Sequence, residues 1–233
     1  MSITEALLRP LLNTAPARPL ITHYDDAAGT RVELSVATLG NWAAKTANWL
    51  ADEHDVGPGT DIAVLLPAHW QTAGILLGAW WCGANITTGP ARLTFLPPGA
   101  PIPPTEVAVI ASLDPMGRDL GTPPDGTLDY IAECRIHADD FLPVVPVPDS
   151  TPALAGTPVS ETLSQARSRA TALALTRASR ILSTRDWTIP TGLLEAFLTP
   201  LAAGASLVHI TNPDPATLPS HRTTERTTVD LPT

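Results

Sequence analysis

An α/β fold, a mostly parallel sheet flanked by helices, is predicted by three features of the sequence. Val56 to Ala84 (VGPGTDIAVLLPAHWQTAGILLGAWWCGA) reads as turn, buried strand, turn and buried helix. Gly57-Pro58-Gly59 punctuates, Asp61 to Leu66 is a short apolar run suited to a strand covered on both faces, and Pro67 ends it. Trp70 to Cys82 is then apolar nearly all round, as a helix packed inside an α/β layer is. Second, strand-like runs alternate with helical periodicity along the chain, the pattern of strands in parallel register wrapped by helices. Third, 233 residues with 44% hydrophobic and 16% charged content have the length and composition for a substantial core.

The elements follow in order. Ser2-Ile3-Thr4-Glu5 matches a capping box and opens a helix through about Leu12. Leu20 to Tyr24 and Arg31 to Leu34 read as two short strands, with Asp25-Asp26 and Gly29 as a solvated turn between them. Ser35 caps a helix to about Glu53, whose buried stripe is Leu39, Trp42, Ala43, Thr46, Ala47 and Leu50 and which leaves Lys45 exposed. Asn85 to Thr88 is a short strand. Gly89 to Glu106, with six prolines, reads as loop or edge structure. Val107 to Ser112 is a continuous apolar strand, Asp129 to His137 alternates like another, and Leu142 to Pro158 resembles a linker. Ser160 to Thr176 is a helix with Leu163, Ala166, Ala170, Leu173 and Ala174 inward. Ser179 to Thr184 is a strand. Thr188 or Thr191 caps a helix from Gly192 to Ala203 that Gly204 stops, and Ala205 to Thr211 is a last strand. The domain is therefore expected over residues 1–211, with 212–233 a proline- and threonine-rich tail, partly disordered or an edge segment.

Charge and composition exclude several functions. A net charge of −9 argues against nucleic acid or an anionic membrane as partner, since both need a basic face. The longest uncharged apolar run, Ala73 to Ala84, is short of the ~20 residues that span a bilayer. The N-terminus, with Glu5 and Arg9, lacks the pattern of a signal peptide. Cys82 and Cys134 make no disulfide framework; Cys82 reads as a buried thiol and the reducing cytoplasm as the expected compartment. Of the 14 lysines and arginines only Lys45 is a lysine, so any lysine-dependent mechanism rests on it. The six histidines show no linear metal-ligand spacing, no Gly-x-Ser-x-Gly elbow is present, and no metal is expected.

Two stretches carry a resemblance. The hairpin, Ser-capped helix and VGPGTDIAVLLPAHWQTAGILLGAWWCGA resemble the opening of the adenylate-forming (AMP-binding, acyl-CoA synthetase-like) superfamily. SRILSTRDWTIPTGLLEAFLTPLAAGASLVHI is similar to that superfamily's later strand–loop–helix–strand. The resemblance spans nearly the whole chain but only the first part of a full-length enzyme. It extends to a short actinobacterial family that keeps only this N-terminal portion. It implies the fold of the N-terminal subdomain of AMP-binding synthetases.

The departures bear on activity. The superfamily's phosphate loop is rich in Ser, Thr and Gly and ends in Gly-x-Pro-Lys-Gly, so that backbone N–H groups and a lysine meet the phosphates. The matching place here is Ala153 to Val159, where Gly156 and Pro158 alone look like remnants and lysine is missing. The imidazole often found in the second motif falls near the apolar Ile189. The lid and the later nucleotide-binding motifs have no counterpart in the 233 residues. Adenylation by this chain alone is therefore not expected, because the charge that develops has no stabiliser.

What remains is a candidate ligand site. Trp187, Thr188 and Thr191 fall in the loop that lines the acyl and nucleotide cleft of the resembling enzymes, and Gly156 lies in the phosphate-loop counterpart. His69 follows a strand end, where α/β sheets bind ligands, but also reads as a helix-start histidine making local contacts. Trp187 reads more simply as a cover over the core or a subunit contact. The expected function is a non-catalytic ligand- or protein-binding relic. The alternatives are a homo-oligomeric assembly module and a residual enzyme or half of a split one. No cofactor is expected; a nucleotide or acyl-CoA is the ligand class left open, and a homo-oligomer or partner protein the association left open.

Overall fold

The computed structural model describes residues 1–231; the final two residues of the expected tail lie outside the described residues. Ser2 caps α1 (Ile3–Leu7) through the expected capping box. The helix does not run on to Leu12: it restarts as α2 (Arg9–Thr14), with Pro10, which has no N–H to donate, in its first turn. The antiparallel pair β1 (Pro19–Asp25) and β2 (Thr30–Ser35) leads into α3 (Val36–His54), capped by the Ser35 hydroxyl. Next come β3 (Asp61–Val64), α4 (Trp70–Cys82) and β4 (Asn85–Thr87).

The proline-rich stretch read as loop contains a strand, β5 (Leu93–Leu96), buried at every position. Its β-forming core Leu93-Thr94-Phe95-Leu96 outweighs the prolines, which flank it rather than interrupt it. Then follow β6 (Val107–Ile110), β7 (Thr127–Asp129) and α5 (Tyr130–Cys134). The strand expected over Asp129 to His137 is thus mostly helix, because the Asp129 carboxylate accepts from the N–H groups of Ile131 (3.0 Å) and Ala132 (3.3 Å) and caps it. The expected linker holds a hairpin, β8 (Pro152–Leu154) and β9 (Thr157–Pro158).

After α6 (Val159–Ala172) and β10 (Arg180–Ser183) comes a composite helix: α7 (Thr191–Leu193), a π-helical turn (Leu194–Leu198) and α8 (Thr199–Ala202). Neither Thr188 nor Thr191 caps it with its side chain; Pro190 holds the cap position. Leu173 and Ala174 were expected inward but are exposed, since α6 ends at Ala172 and Ala174 turns left-handed (φ 50°). Past β11 (Ser206–Thr211), the expected tail holds α9 (Leu218–Glu225) and a true edge strand, β12 (Val229–Asp230).

Two mostly parallel sheets result. One has the order β12-β10-β11-β1-β2, with only β2 antiparallel; the other runs β7-β6-β5-β3-β4-β8-β9, with only β9 antiparallel. One large apolar core includes residues of both, and Leu96, Ala108 and Ile110 form a small separate cluster. The centre of the large core is α4, whose thirteen residues are all buried. Helix α4 packs closely on α3: a Cβ on Gly78 would stand 2.5 Å from Thr46 Cβ and 2.8 Å from the Ala43 carbonyl, so only glycine allows that approach. Trp80 Nε1 donates to the Ala153 carbonyl (2.8 Å) and Thr4 Oγ1 to the Leu77 carbonyl (2.5 Å), tying α4 to the hairpin and to α1. Cys82 is the buried thiol expected, its pKa pushed up to about 12 by burial.

The Asp25-Asp26 turn is more than a solvated bend. Asp26 accepts from Asp214 N (2.9 Å), Thr217 Oγ1 (2.8 Å) and His221 Nε2 (2.8 Å), holding the segment after β11 against the first hairpin. No helix among the described residues is long and apolar enough to cross a membrane.

Candidate functional site

The C-terminal ends of β3, β4 and β10 converge on a cleft of about 390 Å³, the position where open parallel sheets bind ligands. One wall is Val64 to Pro67, another Thr88, and the third the loop Asp186 to Ile189 that follows β10. Asp186 is the one charged residue of this lining.

The loop is held from below. A Cβ on Gly192 would stand 2.5 Å from Thr188 Oγ1, and Leu193 N donates to the Thr188 carbonyl (3.0 Å), so the start of α7 supports the loop directly. Trp187 is buried at 5% exposure; its ring lies 4.6 Å from Phe197 and 5.7 Å from His209, centroid to centroid, and its indole N–H has no protein partner. It therefore both lines the cleft and covers the core. Thr188 is exposed in the cleft wall; Thr191 is exposed at the first turn of α7 and is not part of that lining.

His69 caps α4, its Nδ1 accepting from Gln71 N (3.1 Å). It borders a second, smaller depression of about 160 Å³, lined also by His23, Asp25 and Thr211, on the other side of Pro67 from the cleft. Gly156 stands elsewhere, in the β8–β9 turn, where Ala155 (φ 48°) and Gly156 (φ 82°) are both left-handed. Its N–H already donates to Asn85 Oδ1 (3.0 Å), and Asn85 Nδ2 donates in turn to Asp61 Oδ1 (2.6 Å). The candidate residues thus divide between the cleft wall, the adjoining depression, a helix start and a distant hairpin.

Linear spacing missed one cluster. His23 and His209 are partners across the parallel β1–β11 pair, their rings stacked at 6.0 Å, and His69 meets His23 edge-on at 4.6 Å. Thr211 Oγ1 donates to the Ala68 carbonyl (3.3 Å) and so accepts from His23 Nε2 (2.8 Å), leaving His23 Nδ1 without a partner. Burial lowers all three imidazoles: His23 to about 4, and His69 and His209 to about 3. They are neutral at pH 7. Among the described residues no three His, Cys, Asp or Glu side chains are placed to share a metal ion.

The sole lysine is also accounted for. Lys45 is half-buried rather than exposed; it pairs with Asp139 (3.0 Å) and donates to the Arg135 (3.2 Å) and His137 (2.5 Å) carbonyls. None of those residues lines the cleft.

This arrangement of sheets defines the class: the fold is that of the N-terminal part of acyl-CoA synthetases. An acyl-CoA synthetase of Brucella canis superposes with a TM-score of 0.75 at 18% identity, over 97% of this chain and 46% of that one. The anthranilate CoA ligase AuaEII, solved in complex with anthranoyl-AMP, gives 0.71 at 14% identity, over 97% and 47%. The inhibitor-bound N-terminal domain of FACL13 from Mycobacterium tuberculosis gives 0.70 at 16% identity, over 99% and 62%. The chain spans about half the length of the acyl-CoA synthetase and CoA ligase chains that it matches. No protein-family model matches the sequence. It is, however, 44% identical over 239 residues, 97% of both chains, to a TIGR03089 family protein of Mycobacterium tuberculosis (strain ATCC 25618 / H37Rv), and it belongs to that family.

Proposed function

We propose that this chain is a ligand-binding module on an acyl-CoA synthetase-like scaffold, which binds a small, largely uncharged acyl or aromatic group in the cleft and does not adenylate it. The observation that carries this is the cleft's chemistry: an apolar lining at the strand ends, with one carboxylate and no cation. Apolar lining with few polar groups suits a neutral organic ligand. A polyphosphate would meet Asp186 with nothing to neutralise it.

Two further features support the non-catalytic part. Lys45 is committed to Asp139 and two carbonyls away from the cleft. In the hairpin that matches the phosphate loop, the Gly156 N–H is already taken by Asn85, with the Asp61 carboxylate behind it. That hairpin therefore offers a phosphate neither lysine nor a free nest of donors.

The test is a thermal melt with uncharged and charged probes. Octanamide at a hundredfold excess over its Kd is expected to raise the Tm by about 5–10 °C, since a native-state ligand at that excess contributes about 2.7 kcal/mol. The substitution Thr88→Trp, which fills the cleft from its exposed wall, is expected to abolish the shift. ATP, AMP and CoA are expected to leave the Tm unchanged. A shift with ATP or AMP and none with octanamide would overturn the reading.

A further inference from the structure

We propose that a second pocket, at the end of α6, binds a small organic carboxylate with an apolar body. The pocket measures about 250 Å³ and shares no lining residue with the cleft, so the inference stands apart from what the cleft holds. Its polar side is Arg169, Arg185, Glu195 and Thr199; its apolar side is Ala172, Leu173 and Leu231.

Glu195 is shared by the two arginines: Arg169 Nη1 donates to its Oε1, and Arg185 Nη1 stands 2.5 Å from its Oε2. Arg185 thus gives one nitrogen to the carboxylate, and among the described residues its Nε and Nη2 donate to no side chain or carbonyl. Its planar fork of N–H donors has the geometry that reads a carboxylate with two parallel hydrogen bonds.

Three other observations agree. Two guanidinium groups stand against one carboxylate, leaving a local excess of positive charge in a chain of net charge −9. Leu173, 43% exposed beyond the end of α6, offers an apolar surface on the same concavity. Glu195 belongs to the π-helical turn, in which the Thr199 N–H and hydroxyl both donate to the Leu194 carbonyl; such turns are rare and recur at functional sites. A ligand carboxylate on Arg185 sets its hydrocarbon against Leu173 and Leu231.

Calorimetry on the full chain carrying Thr88→Trp, in which the filled cleft takes neither probe, with octanoate against its uncharged counterpart octanamide, tests this. Octanoate is expected to bind about tenfold more tightly, the gain of one charge-assisted contact. Arg185→Gln is expected to erase that preference. Glu195→Gln, which removes the competing carboxylate, is expected to strengthen octanoate binding, a change of opposite sign that loss of folding cannot mimic. Equal affinities, a preference that survives Arg185→Gln, or weaker binding by Glu195→Gln would each overturn the assignment.

Discussion

Acidification from pH 7 to pH 4.5 is expected to remove most or all of the stability of this fold. His23, His69 and His209 are buried and neutral, with pKa values lowered to about 4, 3 and 3. In the unfolded chain each titrates near 6.5. The sign follows from which state binds the protons. Above about pH 6.5 neither state is protonated and the contribution is complete. As the pH falls below that value the unfolded chain takes up protons the fold refuses, and stability is lost until the folded values near 4 and 3 are reached. Three groups give a slope of about 4 kcal/mol per pH unit through pH 6 to 4, against a total stability of about 5–15 kcal/mol. Half of that slope would still make acid the dominant stress. Urea melts from pH 7.5 to 4.5 measure it. His209→Leu is expected to lower the slope by about one proton, from three to two. A midpoint that does not move between pH 7 and pH 5 would show that the cluster is not neutral and buried.

The second large effect is expected at Glu225. This buried side chain of α9 accepts from Tyr24 Oη (2.6 Å), Arg31 Nε (2.9 Å) and Arg180 Nη2, while Arg180 Nε donates to the Glu225 carbonyl (2.7 Å). Burial alone would raise its pKa; the hydrogen bonds from Arg31, Tyr24 and Arg180 hold it down to about 2. Glu225→Ala leaves two guanidinium groups facing each other. Arg31 is partly in water, and Glu33 remains at 3.0 Å from Arg31 and 3.3 Å from Arg180, so the cost is expected at the low end for a broken buried pair, about 3 kcal/mol. Glu225→Gln keeps acceptor and shape and is expected to cost about half as much. The loss has an address. The amides of Thr228 and Leu231, which donate to the Arg180 and Leu182 carbonyls and pin β12 to β10, are expected to lose hydrogen-exchange protection first. Unchanged protection there in Glu225→Ala would contradict the clamp.

The parts of this fold that were legible share one property: their signal is local. Ser35, the Gly57-Pro58-Gly59 turn ahead of Asp61 and the all-apolar run from Trp70 to Cys82 each state their role within a few residues. The parts that were not legible depend on partners far along the chain. Leu93 to Leu96 hides among prolines because its evidence of burial is its pairing with β3 and β6. Residues 212–230 read as a tail because Glu225, Asp214, Thr217 and His221 look solvated until Arg31, Arg180 and Asp26 are brought to them. The cleft loop around Trp187 and Thr188 was found through a resemblance. The histidine cluster was not found, since His23 and His209 become neighbours only once β1 and β11 pair. The Arg185 pocket was hidden for a simpler reason: Leu173 keeps the helical period of α6 one residue past the point where the helix ends.

Binding without adenylation is tested most directly by ATP–pyrophosphate exchange. The full chain, with magnesium, ATP, labelled pyrophosphate and a panel of fatty and aromatic acids, is predicted to give no exchange above a protein-free control, because neither the cleft nor the β8–β9 hairpin presents a cation to the phosphates. Exchange that depends on both the chain and a carboxylic acid would contradict it.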